Sequence, residues 1–233
     1  MTTLLAIEEL HAWYGESHIL HGVDLRVEEG ETVCILGRNG VGKTTTLRSI
    51  MGMLRRRRGR IIFDGKDMMA MPLHGVARAG IGFVPEERGI FSTLSVEENL
   101  MLPPKIADGG MSLDEIYALF PNLAERRASI GTKLSGGEQQ MLAMARILRT
   151  GARCLLLDEP TEGLAPVIHQ AIARMLGSLK QRGMTVVLVE QNFKFAAKIA
   201  DRFYLMDHGR MLADFKSVDL PQNMDTLHRV LGV

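Results

Sequence analysis

Long hydrophobic runs are missing from this sequence: no apolar stretch approaches the ~20 residues that a membrane-spanning helix needs. The chain is therefore expected to be soluble, docking at most on a membrane protein. A basic leader is missing too. The opening MTTLLAIEEL lacks a basic n-region and carries Glu8 and Glu9 early, so it is not expected to be a signal peptide. Cysteine is scarce: there are two, Cys34 and Cys154, each inside an apolar run. Two such thiols read as buried and reduced, in a cytosolic setting, and argue against a disulfide framework or a thiolate metal site. Net charge is nearly absent, at +1 over 233 residues, so nothing global argues for a nucleic-acid partner. Internal repeats and low-complexity segments are lacking as well.

The remaining sequence is ordinary for a globular domain, with 46% hydrophobic and 24% charged residues. LLAIEELHAWY (4–14), GVDLRV (22–27) and ETVCIL (31–36) read as strands, the third after the turn signal Glu28-Glu29-Gly30. RIIFDG, GIGFVPE, CLLLDE and MTVVLVE are further strand-like runs. The last two are nearly continuous in apolar residues, as strands buried on both faces of a parallel sheet should be. The spacing predicts a helix over 43–53. Helical patterns between the strands point to an α/β layered core. Residues of about 88–150 hold no strong strand and several helix starts, among them the capping-box spacings Ser95/Glu98 and Ser112/Glu115. This region is expected to be a helical subdomain inserted into one domain spanning 1–233, with a loop over 103–110. RFYLMDHGRMLADF predicts a hairpin turning at His208-Gly209, followed by a short helix. The basic run RRRRGR (55–60) is expected to be a solvated loop, the stretch 193–203 a helix in ordinary packing against the sheet, and the many methionines core filler.

GRNGVGKT (37–44) directly follows an apolar strand and opens a helix, the context that G-x-x-x-x-G-K-[ST] requires. Its glycines turn backbone N–H groups toward phosphate oxygens, and the helix N-terminus adds a favourable dipole. Lys43 would bridge the β- and γ-phosphates of ATP and the Thr44 hydroxyl would hold Mg2+. The candidate nucleotide contacts are Gly37, Arg38, Asn39, Gly40, Val41, Gly42, Lys43, Thr44 and Thr45. CLLLDEP (154–160) ends a buried strand in two acids: Asp158 is placed to hold the metal and Glu159 to polarise an attacking water. A third stretch, LSGGEQQ (134–140), repeats the logic of an anion site at a helix N-terminus through Ser135, Gly136, Gly137 and Glu138. One chain has no use for two such sites on one ATP. The second either caps a helix only or faces a nucleotide held by another chain.

GRNGVGKT, LSGGEQQ and LLLDEP, in this order and spacing, resemble the ATP-binding subunits of ABC transporters over essentially the whole chain. The resemblance implies an α/β P-loop NTPase core with a mostly parallel sheet, an N-terminal antiparallel β subdomain and an inserted helical subdomain. It implies ATP and Mg2+ as ligands and a head-to-tail dimer with a second ATPase chain. It places Tyr14, in WYG, where an aromatic stacks on adenine. Three positions depart from the commonest pattern: Glu86 stands for the usual Gln, Ala165 for the usual Asp of the dimer-facing loop, and Gln191 for the usual switch His. VPE, GLAP and VEQN are similar to the branched-chain amino acid importer ATPases and their urea and amide relatives. Gln191 then offers an amide N–H to the γ-phosphate, with Glu159 alone as base. Glu86 is left either near the metal's waters or in a salt bridge of the coupling region. The implied partners are transmembrane permeases and, indirectly, an external solute-binding protein, with the chain peripheral on the cytoplasmic face of the inner membrane. A soluble ABC ATPase of DNA repair or translation, an exporter ATPase and a non-hydrolytic adaptor are the rival readings.

Overall fold

The computed structural model describes residues 2–232. Strands β1 (Thr3–Tyr14), β2 (Ser17–Glu28), β3 (Thr32–Leu36), β4 (Arg56–Phe63), β5 (Lys66–Asp67), β6 (Ile81–Val84), β7 (Cys154–Asp158), β8 (Thr185–Glu190), β9 (Arg202–Asp207) and β10 (Arg210–Lys216) form two sheets. Helices are α1 (Lys43–Ile50), α2 (Leu73–Arg78), α3 (Val96–Met101), α4 (Leu113–Leu119), α5 (Pro121–Glu125), α6 (Gly136–Leu148), α7 (Pro166–Gln181), α8 (Phe193–Ala196) and α9 (Met224–Leu231).

The N-terminal strands make an antiparallel sheet in the order β2-β1-β4-β5. The larger sheet runs β10-β9-β3-β8-β7-β6, parallel except for β10 at its edge. Every residue of β3, β7 and β8 is buried, because each strand faces a core on both sides. Alternate side chains divide between the two cores. Cys34, Leu36, Leu155, Leu157, Val186 and Leu188 join helices α3 to α7 and α9 in one. Val33, Ile35, Leu156, Val187 and Val189 join α1 and the N-terminal sheet in the other. Each such aliphatic side chain contributes roughly 1.5–3 kcal/mol by leaving water. Burial pushes both cysteine thiols up, Cys154 to about 12, so they remain protonated core groups.

The register of the parallel sheet positions the chemistry. Leu36 pairs with Glu190 and Asp158 with Val189, so β3, β7 and β8 end level with one another. The chain leaving each of them therefore emerges at the same edge, where α/β sheets gather ligands.

Between residues 88 and 150 lie α3 to α6 and no named strand, the only pairing among the described residues being an isolated Ser95–Ile130 bridge. The boxes at Ser95/Glu98 and Ser112/Glu115 both close, side chain to N–H and carboxylate to N–H. The hairpin turns at His208-Gly209, both with positive φ as a two-residue turn on twisted strands demands.

Three expectations need correction. RRRRGR is not a loop: Arg56 begins β4, and Arg56, Arg57 and Arg58 pair with Trp13, Ala12 and His11 of β1. Arg57 turns inward and donates to the carbonyls of Ser49, Met68 and Met69, while Arg56 lies over the Trp13 ring. The first helix stops at Ile50 and not 53, because Gly52 takes φ 74 and unwinds the chain. The helix expected over 193–203 covers only Phe193–Ala196 and gives way to turns before β9.

Candidate functional site

The loop leaving β3 wraps tightly, and its glycines are required for different reasons. A Cβ on Gly37 would meet the Met206 carbonyl oxygen at 2.5 Å, whereas Gly40 has open space and needs only its φ of 81. Gly42 needs both, with φ 115 and Leu20 at 2.8 Å. The β9–β10 turn braces this loop from behind: Gly209 donates to the Val41 carbonyl at 2.8 Å and accepts from His21 N–H at 2.9 Å.

Lys43 is buried, and its ammonium donates to the carbonyls of Gly37 (2.9 Å) and Arg38 (3.0 Å) and pairs with Glu159 at 3.0 Å. Glu159 stands at φ 45, held by a hydrogen bond from its N–H to the Val189 carbonyl at 3.0 Å. Thr44 donates its hydroxyl to Asp158 Oδ1 at 2.8 Å. Asp158 is 1% exposed, and its Oδ2 is buried without a hydrogen-bond partner among the described residues. An orphaned carboxylate oxygen beside a hydroxyl fits a Mg2+ ion, which takes one or two protein oxygens and fills the rest of its shell with phosphate and water. Among the described residues no cluster of three or more His, Cys, Asp or Glu could cage a metal by itself, in keeping with such a shared site.

Asp158 carries the electrostatic cost. Burial, then the charges of Glu159 and Glu86, push its pKa from 3.8 to about 6, against the Thr44 hydrogen bond and Arg48. The folded value lies above the unfolded one. The stabilisation from this group is thus complete below pH 3.8 and is lost as pH rises through 6, on the order of 2–3 kcal/mol. Asp158→Asn removes that loss. Thermal melts without nucleotide or Mg2+ should show the variant several degrees more stable than wild type at pH 8. The gap should close below about pH 4. Equal melting temperatures at both pH values would contradict this account.

Tyr14 is 42% exposed at the end of β1. Its hydroxyl is the first cause of the raised pKa of Arg48, on α1. Gln191, one residue past β8, is exposed and makes no side-chain hydrogen bond among the described residues. Glu86 is exposed after β6 and is felt at Asp158 only through its charge. Arg38 and Asn39 are exposed, Val41 half-buried and Thr45 buried.

Ser135, Gly136, Gly137 and Glu138 are not gathered here. Ser135 caps α6, its Oγ accepting from Glu138 N–H at 3.3 Å while Glu138 Oε2 accepts from Ser135 N–H at 2.7 Å. The remaining ion pair of Glu138 runs to Arg126, not to the cradle. Gly137 is needed for packing, since a Cβ would meet Ile168 of α7 at 2.9 Å. Ser135 remains exposed, while Gly136 is half-buried and Gly137 buried.

Three residues here were not singled out from the sequence. Arg88, at φ 65, donates to Gln139 of α6 at 3.1 Å and ties the Glu86 loop to the Ser135 helix. Arg48 stands between Tyr14, Glu87 and Asp158. Glu190 is a buried carboxylate at the end of β8. The signal available was an acid closing an apolar run, the same signal that marks Asp158.

Comparison with known proteins agrees with this geometry. Residues 20–162 match the ABC transporter family. The chain is 40% identical over 232 residues to the high-affinity branched-chain amino acid transport ATP-binding protein BraG of Pseudomonas aeruginosa, covering 98% of this chain and 100% of BraG. It is 34% identical over 238 residues to the lipopolysaccharide export system ATP-binding protein LptB of Escherichia coli K12, covering 100% of this chain and 98% of LptB. Among solved structures, a dimeric ATP-binding cassette in a post-hydrolysis state bound to ADP and Pi superposes with a TM-score of 0.79 at 25% identity, covering 91% of this chain and 98% of that one.

Proposed function

The chain belongs to the ATP-hydrolysing ABC transporter family, and from that membership we propose that it powers an importer of branched-chain amino acids or related small polar solutes. One observation carries the site assignment: the Lys43 ammonium is neutralised internally by Glu159 and two cradle carbonyls. A triphosphate offers Lys43 a stronger partner. When Lys43 turns to the β- and γ-phosphates, Glu159 is released to accept a proton from the attacking water. Thr44 and Asp158 would hold Mg2+, with Glu86 toward its waters, and the ion when bound would supply positive charge beside the phosphate oxygens. The Gln191 amide donates to a γ-phosphate oxygen, and Tyr14 stacks on adenine.

The same reading places Ser135, Gly136 and Gly137 on the γ-phosphate of ATP held by a second chain. The helical segment of about 88–150 acts as an inserted subdomain that swings this surface. Arg88 and Gln139 link it to the Glu86 loop, which is the surface offered to a permease. No helix among the described residues is long and apolar enough to cross a membrane. From the family membership we place the chain at the cytoplasmic face through its permeases, with an external solute-binding protein upstream.

The similarity to LptB supports a second reading, an ATPase that extracts lipopolysaccharide. Reconstitution decides between them. The chain, co-expressed with its membrane partners and placed in proteoliposomes with the solute-binding protein, should drive ATP-dependent leucine uptake. Lipopolysaccharide release without leucine uptake would overturn the importer assignment.

A further inference from the structure

Glu190 is 3% exposed and takes no part in the chemistry above. Its carboxylate nevertheless holds two loops at once. Oε1 accepts from the Thr161 hydroxyl at 2.6 Å and from Thr161 N–H at 3.3 Å. Oε2 accepts from Asn192 N–H at 3.1 Å. Thr161 is the root of the loop 161–165 that leads from Glu159 to α7, and its carbonyl is fixed in turn by His169 Nε2 at 3.0 Å. Asn192 caps α8 through Oδ1 and Phe195 N–H at 3.1 Å. Gln191 thus stands between two pinned residues, Glu190 in the β8 ladder and Asn192 at the cap.

We propose that Glu190 is a positioning residue for ATP hydrolysis: its buried carboxylate ties the loop that faces a second chain to the backbone carrying the Gln191 amide. The inference rests on the role proposed above for Gln191 and on the resemblance that makes the loop of Ala165 dimer-facing. A bare carboxylate at this depth would be costly, and three donors from two different segments satisfy it. Neither segment can shift alone without stranding an oxygen. Seating of a second chain on the loop is therefore conveyed to the γ-phosphate sensor through one side chain, and hydrolysis is favoured only when the partner is present.

Two nearly isosteric variants test this. In Glu190→Gln the amide has one oxygen for two donor segments, so either Thr161 or Asn192 loses its acceptor. Thr161→Val removes the hydroxyl and leaves the carboxylate intact. For each, steady-state ATPase measurements should give kcat reduced about tenfold or more with the KM for ATP within twofold of wild type. The double variant should be no slower than the slower single, because both changes cut the same link. Losses that multiply, a rise in KM matching the fall in kcat, or kcat within twofold of wild type would each overturn the proposal. If Glu190→Gln fails to give a cooperative melt, Thr161→Val carries the same expectation. Normal turnover in Gln191→Ala would instead remove the sensor assignment beneath it.

Discussion

Glu159→Gln is expected to lower kcat by at least about 10²-fold and to accumulate a dimer with ATP trapped inside. The amide keeps the shape of the side chain at φ 45 and the backbone bond to Val189. It cannot take a proton from water. It also cannot neutralise Lys43, whose only carboxylate partner within 4.0 Å among the described residues is Glu159. Nucleotide therefore meets a lysine with one competitor fewer, so ATP affinity holds or improves while the chemical step stops. Size-exclusion chromatography with ATP and Mg2+, beside a phosphate-release assay, reads both effects. Unchanged turnover would assign the proton to another group.

Ser135→Arg should abolish turnover, to less than about 1% of wild type, without weakening ATP binding by the isolated chain. The size of the effect follows from geometry and electrostatics together. The N-terminal turn of α6, where Ser135 is exposed, makes no hydrogen bond or ion pair to Lys43, Thr44 or Asp158 among the described residues. If they stabilise a γ-phosphate on another chain, a long cationic side chain there blocks approach and unmakes the capping box. Loss of one preorganised donor set of this kind costs on the order of 10²–10³ in rate. Equilibrium binding of a fluorescent ATP analogue at low protein concentration separates lost turnover from lost binding, since the cradle alone holds nucleotide there.

Much of the fold was legible because its signals are local. The capping boxes at Ser95, Ser112 and Ser135 need only a hydroxyl and a glutamate three residues apart, and all three close. The His208-Gly209 turn and the doubly buried runs of β7 and β8 are similarly contained in short windows. What was not legible depends on partners far along the chain. The arginine run becomes a strand because β1 lies beside it, with Trp13 opposite Arg56. Which of its arginines turns inward depends on carbonyls at Ser49, Met68 and Met69. The strand order of the large sheet is likewise a matter of distant pairing.

The candidate site divides along the same line. Lys43 and Thr44 were readable from the cradle motif, and Asp158 with Glu159 from an apolar run ending in acids. Their meeting, 114 residues apart for Thr44 and Asp158, follows from the level ends of β3 and β7 on either side of β8. Glu190 carried the same local signal as Asp158, but its meaning lies in Thr161, 29 residues earlier. Arg88 required a left-handed backbone that its sequence neighbours do not announce.

Mixing two inactive variants tests most directly whether each ATP is completed by two chains. Lys43→Ala lacks the cradle ammonium but keeps Ser135; Ser135→Arg keeps the cradle but lacks its counterpart. In a mixed dimer the two lesions fall on one composite site and leave the other whole, so ATPase activity should appear on mixing where neither variant alone has any. Equimolar chains that assort at random should recover up to about a quarter of wild-type turnover, half the dimers carrying one intact site of two. A mixture as inactive as its components, under conditions where wild type dimerises, would show that the site is built within a single chain.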